Sequence, residues 1–390
     1  MKNAAAKRER IADAFPSRFF AAQKHVFFPK RFSFFACAVY IIVSRFRNRR
    51  IRKGAHALNS TNSKKEKKSA LVVNAEYALF LFVTGVVRLL PLHAAYGLLN
   101  FLAWSVLHFS KRHGPRTPKL ILHSGFVKTR KEADRLALAS LEHFAKVYVE
   151  VVKFDQIVNE DNFSEHVRIA DDPLTREFMD PATAPQIILT TGHFGNWELA
   201  GGLHSYITKQ RMTSIMRPMD NPKIGRYVYA RRCRYLHRSF PKELGVRPLI
   251  QANRAGENVT IVSDQHAVPP EGVEVTFFGH PAMAQKTPAW LYLRTHTPIA
   301  MPYLVRDDDD FHFTFHCAKM PDYKATGNME ADIRAVAQLY TNMIEEQIRR
   351  FPEQWLWSHR RWLDCERGPY PPPESAPQQK EASHDQTSVK

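Results

Sequence analysis

The sequence predicts an α/β fold with a central, mostly parallel (mixed) sheet flanked by helices. Strand-like and helix-like segments alternate from residue 187 to residue 350, which is typical of parallel sheets. A polar motif follows the first of these strands, where open α/β sheets bind their ligands. The chain of 390 residues, 44% hydrophobic and 24% charged, is long enough to bury a full core.

The individual elements follow from hydrophobic periodicity and from the residues that interrupt it. Strands are expected over residues 187–190, 213–216, 259–263, 275–278, 299–305 and 312–317. Helices are expected over residues 131–154, 200–206, 224–235, 248–255, 288–295 and 329–350. Residues 113–368 are therefore predicted to form one α/β domain. The tail at 369–390 is rich in Pro, Gln and Ser, which favours disorder.

The first 112 residues differ from the rest in charge and hydropathy. Residues 1–68 hold 18 Lys and Arg and 3 Asp and Glu, so +15 of the net charge of +18 lies in this arm. We expect the arm to be disordered or to bind an anionic membrane or nucleic acid. Residues 69–112 are mainly apolar with flanking Lys and Arg, which predicts a membrane-associated helical segment. A buried helical hairpin is the alternative.

The polar motif is Thr190 to Glu198, between an apolar strand and a predicted helix. His193 and Glu198 would lie on different faces of one continuous helix. They can meet if His193 lies in the loop and Glu198 in the first helical turn, with Asn196 as the N-cap. A carboxylate beside an imidazole fixes its tautomer and stabilises the imidazolium, so the pair predicts a general base. A structural hydrogen bond is the alternative.

Polar residues at later strand ends are the substrate-binding candidates. Arg217, Asn221 and Arg232 belong to a turn and a helix rich in arginine, whose guanidinium suits phosphate or carboxylate groups. Asp264 and Gln265 follow the next strand along the chain, and Asp264 could hold an arginine or orient a substrate hydroxyl. A solvated basic helix and a simple cap are the alternatives for these two groups.

Aromatic residues mark two further segments. The turn at residues 277–280 could line an apolar slot or pack in the core. The segment at 355–362 interleaves Trp and Arg, as at nucleic-acid or lipid boundaries, or it packs against the fold. The four cysteines have no paired spacing, which indicates reduced thiols and no zinc site. Nucleotide-binding, serine-hydrolase and zinc-protease motifs are absent from the sequence.

Taken together, these motifs resemble the bacterial lipid A biosynthesis acyltransferases, the lauroyl and myristoyl transferases within the lysophospholipid acyltransferase superfamily. The resemblance runs from about Tyr77 to Leu363. Its matching pieces, in the family's order, are residues 191–198, 217–222, the region of Arg232, 264–265, 277–279 and 355–362. The family usually begins with a short anchor, whereas this chain begins with the basic arm.

The resemblance implies a glycerol-phosphate-acyltransferase-like fold at the cytoplasmic face of the inner membrane. It implies transfer of an acyl chain from an acyl-carrier-protein or coenzyme A thioester to a lipid hydroxyl, with no cofactor and no metal. His193 would be the base with Glu198 as its partner, and Arg232 and Asp264 would be further members of the site. We expect backbone N–H groups near Gly195 and Asn196, or Arg232, to hold the oxyanion.

Two other functions fit the sequence. The same chemistry could act on a lysophospholipid or on another glycolipid, since acceptor and chain length depend on pocket depth. A basic membrane- or nucleic-acid-binding protein without catalysis would explain the arm and the Trp/Arg segment. The catalytic interpretation expects no nucleic acid as partner.

Overall fold

The computed structural model describes residues 69–110, 113–216, 218–232, 237–241, 244–268 and 270–362. The predicted arm at 1–68 and tail at 369–390 lie outside these residues. Within the described residues, four helices come first: α1 (Ala70–Leu89), α2 (Leu92–Phe109), α3 (His113–His123) and α4 (Arg130–Ile157). The Thr129 side chain and the Glu132 carboxylate form a reciprocal capping box that fixes the start of α4.

Helices α1 and α2 form an apolar hairpin that is only partly covered. Phe80 and Val87 of α1 and Tyr96 and Leu99 of α2 are buried in a cluster shared with α4. The outward side chains are exposed: Leu71, Leu79, Phe82, Leu89, Leu98, Phe101, Leu102, Trp104 and Phe109. The hairpin is therefore only partly buried, and its association with a membrane stays a prediction. Within the described part of the chain, α1 alone is long and apolar enough to cross a membrane.

The α/β prediction is confirmed, because a seven-stranded mixed sheet with helices forms the body of the structure. The remaining elements in chain order are α5 (Phe163–His166), β1 (Val167–Ile169), α6 (Pro173–Met179), β2 (Ile188–Thr191), α7 (Trp197–Thr208), β3 (Met212–Met216), α8 (Pro222–Arg232), β4 (His237–Pro241), α9 (Arg247–Arg254), β5 (Asn258–Val262), β6 (Gly272–Phe277), β7 (His280–Gln285), α10 (Lys286–Thr295), β8 (Ile299–Arg306), β9 (Phe313–Lys319) and α11 (Met329–Arg350).

The sheet order is β1-β9-β8-β2-β5-β3-β4. All neighbours pair in parallel except β8 and β9, which form an antiparallel pair. Strand β2 lies near the centre, between β8 and β5, and every residue of β2 is buried. Because β2 and β5 are parallel neighbours, their carboxyl ends meet at one edge of the sheet.

The predicted strand at 275–278 is not part of this sheet. It belongs to β6, which pairs with β7 in a separate antiparallel hairpin. The turn of this hairpin has positive φ angles at Phe278 (52°) and Gly279 (77°), and Phe278 is buried. Of the two interpretations of this turn, core packing is therefore correct.

The aromatic segment at 355–362 packs inside the protein. Trp355, Trp357 and Trp362 are at most 2% exposed. The Trp362 indole N–H donates to the backbone carbonyl of Phe277 at 2.8 Å, and the Trp357 indole donates to that of Pro352 at 2.7 Å. These tryptophans cannot face nucleic acid or a lipid boundary, so the packed alternative holds.

Candidate active site

The His193 motif joins the carboxyl end of β2 to the start of α7. Asn196 is the N-cap of α7, and its side-chain oxygen accepts a hydrogen bond from the Leu199 backbone N–H at 3.1 Å. His193 lies in the loop and Glu198 in the first helical turn. The local geometry predicted for this motif is thus confirmed.

The loop is closely packed on the sheet. Gly195 has a φ of 55°, and a Cβ at this position would clash with the carbonyl oxygen of Leu304 on β8. The Gly195 N–H donates to the backbone oxygen of Gln354 at 2.9 Å, and the Asn196 N–H donates to that of Leu304 at 2.8 Å. Glycine is needed here because both the left-handed backbone and the close approach exclude a side chain.

His193 is bound by the carboxylate of Asp264, which follows the neighbouring strand β5. Asp264 Oδ1 accepts from His193 Nδ1 at 2.9 Å, and Oδ2 accepts from the His193 backbone N–H at 2.8 Å. Oδ2 also accepts from the indole N–H of Trp355 at 3.0 Å. A Cβ at Gly192 would lie 2.9 Å from Asp264 Cβ, so a glycine there lets the carboxylate approach.

The two side chains differ in exposure and charge. The His193 side chain is 25% exposed, whereas that of Asp264 is 2% exposed. Burial alone would raise the pKa of Asp264. The nearby His193 and the hydrogen bonds from His193 and Trp355 outweigh burial and lower this pKa to about 2. Asp264 is therefore ionised at neutral pH, and its contact assigns the hydrogen to Nδ1, which leaves the lone pair of a neutral ring on Nε2.

Several polar groups surround this pair. The Gln265 side-chain nitrogen lies 3.3 Å from His193 Nδ1 and 3.4 Å from Nε2. Trp197 packs beside the imidazole, with 5.3 Å between ring centroids. Burial lowers the pKa of His359 to about 4 against the opposing charge of Asp264, so this second imidazole is neutral. The Arg361 guanidinium is buried and donates to the Gln265 backbone oxygen at 3.3 Å.

Glu198, the predicted partner of His193, lines a small cavity of about 70 Å³ between α7 and the sheet. Thr191, Trp197 and Ser214 also line this cavity. The pairing of Glu198 with His193 stays a prediction. The structure adds a carboxylate that the sequence analysis did not assign to the imidazole, that of Asp264.

Two of the other site predictions need correction. The backbone N–H groups of Gly195 and Asn196 both donate to backbone carbonyls, so they are not free to hold an oxyanion. Asn221 is buried and binds only protein groups among the contacts described. Its amide nitrogen donates to the Val73 carbonyl and to the Glu76 carboxylate, and its oxygen accepts from the first turn of α8. Asn221 thus anchors α1 and is not placed to bind substrate.

The side chains of the two arginines predicted to bind substrate lie outside the described part of the structure. Arg217 lies outside the described residues, and Arg232 ends α8 with a side chain of which nothing is described. Their roles stay predictions. Among the described residues, no group of three or more His, Cys, Asp or Glu side chains could hold a metal ion.

The contact between His193 and Asp264 had a signal in the sequence. Both residues follow predicted strands, and an α/β sheet brings the carboxyl ends of neighbouring parallel strands together. What the sequence did not give was the strand order, which makes β2 and β5 neighbours although β3 and β4 lie between them in the chain. The indole of Trp355, some ninety residues further on, had no comparable signal.

The sheet and the His193–Asp264 pair define a class of protein. It is an α/β fold in which a buried carboxylate holds a partly exposed imidazole at the edge where parallel strands end. The chain belongs to the bacterial lipid A biosynthesis acyltransferase family, whose model matches residues 63–364. This confirms the resemblance inferred from the motifs. The lipid A biosynthesis lauroyltransferase of Escherichia coli (strain K12) is 26% identical over 176 residues, which cover 45% of this chain and 56% of that protein.

Proposed function

We propose that this protein transfers a fatty acyl chain from a thioester to a hydroxyl of a lipid A precursor or a related glycolipid. The observation that carries the proposal is the partly exposed imidazole of His193 held by the buried, ionised Asp264. Family membership supports the reaction type. The name of the Escherichia coli relative supports lipid A biosynthesis as the process.

In the proposed reaction, His193 Nε2 takes the proton of the acceptor hydroxyl as the hydroxyl oxygen attacks the thioester carbonyl carbon. The tetrahedral intermediate then collapses, the carbon–sulfur bond breaks, and the imidazolium returns its proton to the leaving thiolate. Asp264 fixes the ring orientation and stabilises the imidazolium, and Glu198 in the first turn of α7 is the second carboxylate that we assign to the imidazole. General-base catalysis of this kind supplies roughly 10²–10⁴-fold in rate.

The side-chain amide of Gln265 is the donor that we place at the oxyanion. Its nitrogen lies 3.4 Å from the basic nitrogen of His193, which puts an N–H donor beside the place where the hydroxyl would attack. It replaces the backbone donors of Gly195 and Asn196, which are already paired. Arg232 remains the second candidate for this role.

Both substrates carry long apolar chains, and the α1–α2 hairpin offers the surface to meet them. Its nine exposed large apolar side chains favour binding in the plane of a bilayer, with α1 as the segment able to insert. We place the protein on the cytoplasmic face of the inner membrane. Acyl carrier protein or coenzyme A is the donor partner, and no cofactor is required because the thioester is already activated.

A matrix of donors and acceptors tests the proposal. The purified full chain is incubated with radiolabelled acyl-carrier-protein or coenzyme A thioesters, and with a lipid A precursor, a lysophospholipid or lipid-free buffer, and the products are separated by thin-layer chromatography. We expect label in the lipid A precursor. Transfer to lysophospholipid alone would show that the acceptor is a lysophospholipid and not a lipid A precursor. If no acceptor is labelled and the protein binds vesicles, it is a non-catalytic membrane-binding protein.

A further inference from the structure

A buried carboxylate lies beneath the His193 loop and takes no part in the reaction described above. Glu150 of α4 is fully buried. Its Oε2 accepts from the Asn196 side-chain amide at 2.7 Å, and its Oε1 accepts from Arg306 Nε and from the Tyr96 hydroxyl, the latter at 3.4 Å. One carboxylate thus joins the hairpin helix α2, the end of β8 and the N-cap of α7.

Arg306 reaches the same loop by a second route. Its Nη2 donates to the backbone oxygen of His143 at 3.2 Å, and the His143 ring Nε2 lies 3.1 Å from the Gly195 carbonyl oxygen. Burial and the charge of Arg306 hold the pKa of His143 well below its usual value, so the ring is neutral and its Nε2–H donates. The side-chain amide of Gln354 pairs with both peptide groups of Arg306, at 3.1 and 3.0 Å.

These two routes converge on consecutive residues of the catalytic loop. Glu150 holds the side chain of Asn196, and Arg306 holds the carbonyl of Gly195 through His143. The chain between Gly195 and His193 is too short to move independently, so the orientation of the imidazole toward Asp264 depends on this support. A buried ion pair adds little to the stability of a fold, because both charges lose their hydration. Its hydrogen bonds can nevertheless hold catalytic residues in a fixed geometry.

We propose that Glu150, paired with Arg306, is a positioning residue that fixes the Gly195–Asn196 turn and thereby the direction of the His193 imidazole. The inference rests on the proposed function, because it assigns to His193 a geometry that matters for the rate. It predicts that loss of the Glu150 charge lowers kcat per folded molecule and leaves donor binding intact, since Glu150 itself touches no substrate.

The test compares Glu150→Gln with a matched control, Glu257→Gln. Glu257 is also a buried carboxylate paired with an arginine, Arg238, and with a hydroxyl, that of Thr213. It directly precedes the amino end of β5, whereas His193 follows the carboxyl end of the parallel neighbour β2. Both substitutions keep one acceptor oxygen and remove one buried charge, and only Glu150→Gln changes a contact with the His193 loop.

For wild type and both variants, kcat and KM are measured with whichever thioester, of acyl carrier protein or of coenzyme A, gives the faster transfer. The number of donor-binding sites per chain is measured by isothermal titration calorimetry with the same thioester. We expect Glu150→Gln to bind donor with unchanged stoichiometry and KM within about twofold, with kcat per site at least about tenfold lower, as for a misplacement approaching 1 Å. Glu257→Gln should keep the wild-type kcat per site.

Three results would overturn the inference: an unchanged kcat per site in Glu150→Gln, an equal loss in Glu257→Gln, or a loss of activity that only follows the loss of binding sites. If Glu150→Gln does not fold, Glu150→Gln/Arg306→Met removes the uncompensated cation and is measured in the same way, with the same expectation. Absence of transfer by the wild type would instead refute the proposed function, and the positioning role with it.

Discussion

Replacing Asp264 with asparagine is expected to change the tautomer of His193. Asp264 Oδ2 accepts two N–H donors, the His193 backbone and the Trp355 indole. In Asp264→Asn the amide oxygen should stay with these two donors, so the NH₂ group turns toward His193 Nδ1. Since NH₂ can only donate, Nδ1 must accept, the ring hydrogen moves to Nε2, and the base loses its lone pair.

The expected loss of kcat follows from the free energy of the other orientation of the asparagine amide. Flipping the amide restores the active tautomer but leaves two buried N–H groups without an acceptor. Each unpaired group costs about 1–3 kcal/mol, or about 2–6 kcal/mol together. At about 1.36 kcal/mol per tenfold in rate, kcat should fall between roughly 30-fold and 3 × 10⁴-fold.

The assay is initial-rate transfer with the substrates identified in the donor–acceptor matrix, at saturating concentrations of both. Asp332→Asn is the matched control, because Asp332 is also buried and accepts several hydrogen bonds, from Tyr323 and Thr326, remote from His193. It should keep the wild-type rate per folded molecule. A kcat for Asp264→Asn within threefold of wild type would show that Asp264 does not set the tautomer of the base.

Two further predictions concern the His193 loop and the carboxylate that binds it. Gly195→Ala should abolish transfer and lower the melting temperature, because the new Cβ would clash with the Leu304 carbonyl oxygen. The control is Gly125→Ala, where φ is also positive (67°) but the space at Cβ is open, so the transfer rate should match that of the wild type. Equal losses in both variants would refute the packing argument. Asp264, with its pKa lowered from 3.8 to about 2, contributes about 2 kcal/mol of stability that is complete above pH 4 and is lost as the pH falls toward 2. Urea unfolding at pH 5 and at pH 2.5 should therefore show the difference between wild type and Asp264→Asn shrinking by about 1.5 kcal/mol, most of this contribution, and a constant difference would contradict it.

The sequence was sufficient to predict features that depend on residues close together in the chain. The order strand, His193 loop, Asn196 cap and helix follows from residues within ten positions of one another, and all of it is confirmed. The α/β class also followed from alternation along the chain. These features depend on hydrogen bonds and hydrophobic periodicity that neighbouring residues determine.

The sequence failed where contacts join distant segments. Asn221 looked like a ligand for substrate, yet it binds α1, about 145 residues earlier. The backbone donors of Gly195 and Asn196 looked free, yet β8 and residue 354 take them. The segment at 355–362 interleaves Trp and Arg, a composition that also occurs at binding surfaces. Its tryptophans are buried because the segment packs against the β6–β7 hairpin. Such contacts depend on strand order and on the path of the C-terminal segment, which periodicity does not specify.

His193 is the proposed base for acyl transfer, and one measurement tests this role directly. Purified wild type and His193→Ala, matched for folded fraction by thermal unfolding, are compared for transfer of labelled acyl chain to the lipid acceptor. We predict a fall of at least about 10²-fold in kcat for His193→Ala, the low end of what general-base catalysis supplies. Transfer by His193→Ala at the wild-type rate would contradict the central claim.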